Sequence, residues 1–313
     1  MKQARRSVDI CICTFRRDTV VETIKSLSQL RLSEALDVKV IVCDNDDKPS
    51  AKRLIQHIAD QVALPIRYIH IPGRNISIAR NALLDASAAD LIAFVDDDET
   101  VTPGWLEALV LCMDAQSADV VLGPVRAIYG PEMPSWMVNG DFHSTLPVSR
   151  DGEILTGYTC NVLMRSSSPS IAGRRFKLEL GRSGGEDTNF FSEIHEAGGK
   201  IAFAPNAWVE EIVPASRASF RWLAQRRFRM GQTHGRIIAR DTSIVRRSIN
   251  AAIAMSKVGF CAAAALVSLN SVSRIRNVLR GTLHAGTVAG QLGVRELNLY
   301  GESGPEGGRE LTA

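Results

Sequence analysis

Two acidic clusters are the residues whose types and spacing could carry chemistry, and each directly follows an apolar run. Residues 96–99 read Asp-Asp-Asp-Glu after the run 91–95, and residues 44–47 read Asp-Asn-Asp-Asp after the run 38–43. Carboxylates this close repel one another, so their clustering indicates a cation or a cationic substrate nearby. Mg2+ and Mn2+ prefer oxygen ligands and are commonly shared with the phosphates of a nucleotide. The expected chemistry is therefore transfer of the group that a metal-bound diphosphate carries.

A glycine-rich segment farther along the chain carries a candidate base. Residues 181–189 read GRSGGEDTN and deliver Glu186 and Asp187 to the start of a predicted helix, 188–197. A base that activates an acceptor hydroxyl has to lie apart from the metal, so that it can approach the opposite face of the reacting carbon. Asp187 suits this role, and the alternative is an acid favoured at a helix N-terminus by the helix dipole. Nearby arginines could stabilise a departing diphosphate.

The apolar spacing predicts strands that alternate with helices, which must position these groups. Such alternation implies an α/β fold with a mostly parallel sheet and helices on both faces, and ligands collect at the carboxyl ends of its strands. Both acidic clusters fall at such ends. The predicted strands are 8–15, 38–43, 66–71 and 91–95, and the predicted helices are 19–30, 49–63, 76–86 and 104–115.

Composition excludes several classes of protein. The chain has 313 residues, is 45% hydrophobic and carries a net charge of +3, so no basic field argues for a nucleic-acid partner. Its six cysteines lack the spacing of a zinc site or the density of a disulfide scaffold, and we expect reduced thiols. The N-terminal segment is basic and then apolar, but its apolar part is short and strand-like, so no signal peptide is expected.

The C-terminal part combines basic and apolar segments. A basic helix is predicted over 219–236, and an apolar, small-residue segment follows at 249–269 with arginines on both sides. Basic flanks at both ends disfavour a simple membrane span and favour an interfacial or re-entrant helix, with 279–292 as its partner. The alternative is a buried core helix. The tail, 301–313, is predicted to be disordered.

Four motifs in chain order carry a resemblance to a known family. They are VDICICTFRRDTVVETIKSL, VIVCDND, GRNISIARNALLDASAADLIAFVDDDETVTPGWLEAL and GGEDTNFF. Residues 7–235 with these motifs resemble the family 2 glycosyltransferases, which have the GT-A fold. The C-terminal LRGTLHAGTVAGQLGVRELNLYG further resembles the bacterial exopolysaccharide branch that includes the succinoglycan biosynthesis glucosyltransferases. The resemblance implies a GT-A domain over 1–240, with a nucleotide-binding half to about 125 and an acceptor-binding half after it, and a membrane-associated helical region over 241–300.

The resemblance also implies roles for individual residues. Asp187 would be the catalytic base, and the metal, Mg2+ or Mn2+, would be held by Asp98 with Asp96 and His234. The acceptor would contact Trp136, Tyr158 and Glu186. The donor would be bound by residues from several motifs, namely Thr14, Arg16, Asp44, Arg80, Asn81, Asp96, Asp97, Arg226 and Arg229.

The implied reaction is transfer of a hexose, with glucose the expected sugar, from a UDP-sugar with inversion to a β-linkage. The implied acceptor is an oligosaccharide on polyprenyl diphosphate at the cytoplasmic face of the bacterial inner membrane. Processive synthases of this family carry Gln-x-x-Arg-Trp, whereas Gln225 here begins QRRFR, so one sugar per encounter is expected.

Two alternatives stay open at this point. A noncatalytic scaffold of a polysaccharide assembly complex could keep the fold and the membrane contact. A nucleotidyltransferase also uses a metal-binding carboxylate pair, but it needs a glycine-containing loop after its first strand, and TFRRDT contains no glycine.

Overall fold

The computed structural model describes residues 5–240 and 242–295. Helices and strands alternate through the first part of the chain, as predicted. These elements are β1 (Arg6–Thr14), α1 (Val20–Ser28), β2 (Leu36–Asp44), α2 (Lys52–Ala59), β3 (Ile66–His70), α3 (Ile76–Ala86), β4 (Leu91–Val95), β5 (Glu99–Val101) and α4 (Trp105–Gln116).

The remaining elements place short strands before three long helices. They are β6 (Val120–Leu122), β7 (Val125–Ile128), α5 (Ser135–Gly140), β8 (Ser149–Arg150), β9 (Glu153–Ile154), β10 (Asn161–Arg165), α6 (Glu186–Glu196), β11 (Ile201–Phe203), β12 (Val209–Ile212), α7 (Phe220–Ala239), α8 (Ile244–Val267) and α9 (Ser271–Gln291). The predicted tail, 301–313, lies outside the described residues.

The main sheet has the strand order β11-β6-β10-β4-β1-β2-β3. Its strands run in one direction except β10, which is antiparallel to β4 and β6. Ile10 and Ile12 pack on one face with α1, α2 and α4, whereas Cys11 and Phe94 pack on the other face with α3 and α6. Because both faces are covered, the central strands are continuous apolar runs. The predicted mostly parallel sheet with helices on both faces is confirmed.

A second, small sheet has the order β5-β12-β7 and lies beside the acidic turn between β4 and β5. In it, Glu211 on β12 is opposite Glu99 on β5. The small sheet therefore brings a distant glutamate next to the acidic cluster.

Among the three C-terminal helices, α9 packs against both α7 and α8. Glycines spaced four apart bring α7 and α9 together, because a Cβ on Gly231 would lie 2.0 Å from the carbonyl oxygen of Leu283 and one on Gly290 2.1 Å from that of Gln232. Helix α8 is long and apolar enough to cross a membrane by length and composition, and 17% of its apolar window is buried. The alternative of a buried core helix at 249–269 is therefore wrong.

Candidate active site

The acidic cluster, Asp96 to Glu99, lies at the carboxyl edge of the main sheet beside the end of β1. The Thr14 hydroxyl donates a hydrogen bond to Asp97 at 2.8 Å. Arg17 donates through one nitrogen to Asp97 at 2.9 Å and to Asp98 at 2.7 Å. An arginine from the loop after β1 therefore neutralises two of the clustered carboxylates.

Burial changes the charge of the cluster. The pKa of Asp96 is raised to about 7, first by burial and then by the charges of Asp98 and Asp97, while Arg80 opposes the shift. Burial also raises the pKa of Glu99 well above its ordinary value, and one of its carboxylate oxygens accepts a hydrogen bond from the backbone N–H of Asp96 at 3.0 Å. Protons and arginines together explain how four acids can lie side by side.

The residues at this edge fit a metal that is shared with a substrate. Among residues 5–240 and 242–295, no three His, Cys, Asp or Glu side chains are grouped so that they could hold a metal ion. Mg2+ usually takes one or two protein carboxylates and completes its shell with water and substrate phosphates. The side chain of Asp98 is 22% exposed, against 7% for Asp97. Asp98 is thus the carboxylate of this pair that can face a bound nucleotide.

The predicted base lies in the first turn of α6, which begins two residues earlier than predicted. Gly184 and Gly185 both have φ of +86°, and a Cβ on Gly184 would lie 1.9 Å from a guanidinium nitrogen of Arg229. Other residues are strained at such a positive φ, which favours glycine at both positions. Burial raises the pKa of Asp187 and the charge of Glu186 raises it further, while Arg80 opposes them. Asp187 is therefore a carboxylate whose affinity for a proton is increased.

Arg80 lies at this glycine loop, and its charge also acts on the acidic cluster. Its guanidinium forms a buried ion pair with Glu186 and lies 5.5 Å from the ring centre of Phe176. Arg80 is 7% exposed, and its charge acts on both Asp96 and Asp187. The second carboxylate oxygen of Glu186 is buried and has no hydrogen-bond partner in the described part of the chain.

Arg217 is a second arginine at the cluster that sequence reasoning missed. It pairs with Glu211, lies 3.9 Å from a carboxylate oxygen of Asp98 and stacks 5.6 Å from the ring centre of Trp222. Arg226, predicted to bind the donor, lies 5.3 Å from the same ring. Arg17 could have been found as the neighbour of Arg16, whereas Arg217 stands alone in PASRAS, and nothing in that pattern indicates a site.

Other predicted donor residues are engaged by the protein itself. Asp44 accepts hydrogen bonds from the Tyr68 hydroxyl at 2.8 Å and from two backbone N–H groups. The amide of Asn81 bonds the backbone of Phe176 at both ends, at 2.8 and 2.9 Å. Arg16 lies in the same loop as Arg17 and pairs with Asp46 at 2.9 Å. Arg229 donates to the carbonyl of Ser183 at 2.8 Å, beside the glycine loop.

The charges that act on His234 come from basic groups and not from the acidic cluster. Desolvation by the packed helices lowers the pKa of His234, and the charges of Lys257, His284 and Arg150 lower it further. These neighbours belong to α8, α9 and β8. A cationic environment of this kind is opposite to that of a metal ligand.

Two predicted acceptor residues lie in packed surroundings. Trp136 packs in an apolar cluster with Phe142 at a ring separation of 5.8 Å. The Tyr158 hydroxyl donates to the carbonyl of Gly123 at 2.6 Å, and burial raises the pKa of Tyr158. Each residue is half-buried.

The buried His143 should make the stability of the protein depend on pH. It is 3% exposed and stacks on Trp222 at 5.4 Å, and burial lowers its pKa to about 4 while the charges of Arg226 and Arg217 lower it too. An unfolded histidine binds a proton near pH 6.5, so the unfolded state gains protons as the pH falls. We expect the free energy of unfolding to drop by about 2 kcal/mol from pH 8 to pH 5 through His143.

Urea unfolding of the wild type and His143→Gln at both pH values measures this loss. The variant should lack that part of the pH dependence, and His57→Gln, on the exposed face of α2, should keep it. An unchanged pH dependence in His143→Gln would contradict the prediction.

Comparisons with known proteins agree with this geometry. Residues 9–169 match the profile of glycosyl transferase family 2. The chain is 52% identical over 295 residues, covering 94% of this chain and 96% of the relative, to the succinoglycan biosynthesis protein ExoM of Rhizobium meliloti. It is 23% identical over 250 residues, 72% of this chain and 75% of the relative, to a glucosyl-dolichyl phosphate glucuronosyltransferase of Haloferax volcanii.

Solved structures show the same fold. A mannosyltransferase of Pyrobaculum calidifontis in complex with GDP-Man and Mn2+ has a TM-score of 0.61 at 15% identity, covering 91% of this chain and 87% of that one. S. aureus TarS 1-349 in complex with UDP-GlcNAc has a TM-score of 0.52 at 13% identity, covering 92% of each chain. With the matched motifs, the sheet and the acidic edge all in agreement, the chain belongs to glycosyl transferase family 2 and is close to the succinoglycan enzymes.

Proposed function

We propose that the chain is an inverting, non-processive hexosyltransferase that moves a hexose, glucose being the expected sugar, from a UDP-sugar to a lipid-linked oligosaccharide in exopolysaccharide synthesis. The observation that carries the proposal is the buried ion pair of Arg80 with Glu186 in the glycine loop, because the charge of Arg80 also acts on Asp187 and on Asp96 of the acidic cluster. The relative that shares half of its residues with this chain is named for succinoglycan biosynthesis.

On the donor side, Asp98 with Asp96 would hold Mg2+ or Mn2+. The metal would neutralise the charge that develops on the leaving diphosphate. Thr14 orients Asp97 beside this position. Arg226 and Arg229, on α7, would add positive charge for the diphosphate, as predicted, and the uracil would lie near Asp44. Relatives of the same fold bind UDP-GlcNAc and, with Mn2+, GDP-Man, which supports a nucleotide-sugar donor and a divalent metal.

On the acceptor side, Asp187 would take the proton of the attacking hydroxyl. Its raised pKa supports this role, because a base works best when its pKa approaches the working pH. Direct attack opposite the leaving diphosphate inverts the anomeric centre. The unpartnered oxygen of Glu186 supports acceptor binding, since a buried acceptor is normally satisfied and a substrate hydroxyl could supply the bond. Trp136 and Tyr158 complete the proposed acceptor surface.

UDP release from a panel of UDP-sugars, with Mn2+ or Mg2+ present or chelated and with bacterial lipid extract as acceptor source, tests the function. One sugar should be strongly favoured, and release should require the metal and be lost in Asp98→Ala. If no sugar nucleotide is turned over and none raises the melting temperature, the proposal fails and the scaffold alternative replaces it. The family match gives glycosyl transfer rather than nucleotidyl transfer.

The exposed apolar side chains of α8 support a membrane as a partner. Its exposed side chains include Phe260 at 72% and Leu266 at 86%, and Arg274 and Arg280 are exposed on the adjacent α9. An apolar face with basic neighbours suits an anionic bilayer surface. We therefore propose peripheral or re-entrant attachment at the cytoplasmic face of the inner membrane, where a polyprenyl-diphosphate acceptor would be presented.

Replacing Phe260 and Leu266 together with aspartate should weaken binding to anionic vesicles at least about tenfold. Burial of each large apolar side chain contributes about 1.5–3 kcal/mol. Co-sedimentation with vesicles measures the change. Leu111→Asp, at a leucine 62% exposed on α4, is the control that should bind as the wild type does. Equal binding by the double variant would remove α8 from the membrane contact.

A further inference from the structure

Arg17 is bonded to Asp98, one of the two proposed metal ligands, and to its neighbour Asp97. One of its guanidinium nitrogens bonds both Asp97, at 2.9 Å, and Asp98, at 2.7 Å. Thr14 donates to the other oxygen of Asp97, so each oxygen of that carboxylate accepts a hydrogen bond from the protein. A cation that binds Asp98 lies beside the oxygen that Arg17 already holds, and therefore close to the positive charge of Arg17.

The charges make this competition strong. Two unit charges 4 Å apart interact appreciably even at the effective dielectric constant of a protein surface, and a divalent ion doubles the repulsion from a guanidinium. A nucleotide diphosphate reverses the sign of the balance, because it supplies negative oxygens that both the metal and an arginine favour. A metal ion that arrives alone should therefore be repelled by the charge of Arg17 beside Asp98. A metal ion that arrives with a nucleotide should meet less repulsion, because the diphosphate attracts both the metal and the arginine.

Arg17 is placed so that it can change partners, whereas Arg217 is not. Arg17 belongs to the short loop between β1 and α1, and its side chain is 42% exposed. Arg217 is 19% exposed, is held by Glu211 and packs on Trp222. A rotation of the Arg17 side chain moves its charge without moving a strand.

We infer that Arg17 is a positioning residue that makes metal binding depend on the nucleotide. Without a donor, its guanidinium neutralises Asp97 and Asp98; with a donor, it turns onto the diphosphate oxygens and leaves Asp98 to the metal. The coupling is reciprocal, so the metal strengthens nucleotide binding by the same factor. This inference rests on the proposed metal-dependent use of a UDP-sugar.

Mn2+ titrations followed by electron paramagnetic resonance, with and without UDP, test the inference without any turnover. Arg17→Gln should bind Mn2+ in the absence of UDP about tenfold more tightly than the wild type, and UDP should strengthen that binding far less than it does in the wild type. Arg17→Lys keeps the charge and should resemble the wild type. Arg175→Gln is the matched control, because Arg175 is 47% exposed and pairs with Asp85 on the surface.

The outcomes separate this inference from the proposed function. If UDP strongly strengthens Mn2+ binding to the wild type, and Arg17→Gln binds Mn2+ about tenfold more tightly without UDP and gains far less from UDP, the inference holds. If the wild type shows that dependence but Arg17→Gln is unchanged, Arg17 is not the coupling residue. If the wild type binds no Mn2+ even with UDP, the proposed metal-dependent function itself fails, and the inference fails with it.

Discussion

Asp187→Asn should lower the rate of sugar transfer by about 10²–10⁴-fold while the affinity for the UDP-sugar stays near that of the wild type. Asparagine is isosteric with aspartate but cannot accept the proton of the attacking hydroxyl. The carboxylate of Asp187 accepts a hydrogen bond from the backbone N–H of Thr188 at 2.6 Å, and the amide oxygen can keep it. The α6 N-terminus should therefore stay folded, and the loss should fall on the chemical step.

Single-turnover transfer and calorimetric donor binding separate the two effects. Glu196→Gln, which removes an exposed acid from the last turn of the same helix, is the control and should transfer at the wild-type rate. Full transfer by Asp187→Asn would remove Asp187 from the mechanism. Loss of donor binding together with transfer would instead show that the residue holds the site together.

Arg80→Met should lower the free energy of unfolding by about 3–5 kcal/mol and abolish transfer. The substitution leaves Glu186 buried without its cation, and one oxygen of Glu186 already has no hydrogen-bond partner among the described residues. It also removes the positive charge that acts on Asp96 and Asp187. Stability should fall because Glu186 loses its cation, and transfer should fall because Asp96 and Asp187 lose a nearby positive charge.

The double variant Arg80→Met/Glu186→Leu separates those reasons. With both buried charges gone, an apolar pair of similar volume should restore most of the stability. Transfer should remain lost, because neither the acceptor contact nor the charge beside the base returns. Urea unfolding and UDP release measure the two effects, and Arg67→Met, at an exposed arginine on β3, should change stability by no more than about 0.5 kcal/mol. Wild-type stability of Arg80→Met would contradict the prediction.

Arg80 also shows why a role assigned by motif can differ from a role assigned by contact. The motif placed it near the donor, and it does lie among the acids of the site. In the folded chain, however, its guanidinium is covered by Glu186 and Phe176. We therefore expect Arg80 to act on the donor through its pair with Glu186 and its charge on Asp96, rather than by direct contact. The partner that decides this is 106 residues away along the chain.

The central elements could be predicted because burial leaves a local, periodic trace. The predicted strand 91–95 and helix 76–86 coincide with β4 and α3. Strands covered on both faces are continuous apolar runs, and amphipathic helices repeat every three to four residues. The helix predicted at 49–63 is shorter in the structure, Lys52–Ala59. Just before its first residue, the backbone N–H of Ala51 donates a hydrogen bond to the carboxylate of Asp44.

The sequence by itself determined the α/β class, the acidic edge, the glycine loop with its candidate base and the family, because each depends on residues that are adjacent or regularly spaced. Only the tertiary structure decided which cations meet which acids. Arg17 reaches Asp97 across 80 residues of chain, and α7 meets α9 through glycines whose effect depends on the two helix axes crossing. Nor could the sequence show that the charges acting on His234 come from basic groups on α8, α9 and β8, because the surroundings of a helical side chain depend on what packs against the helix.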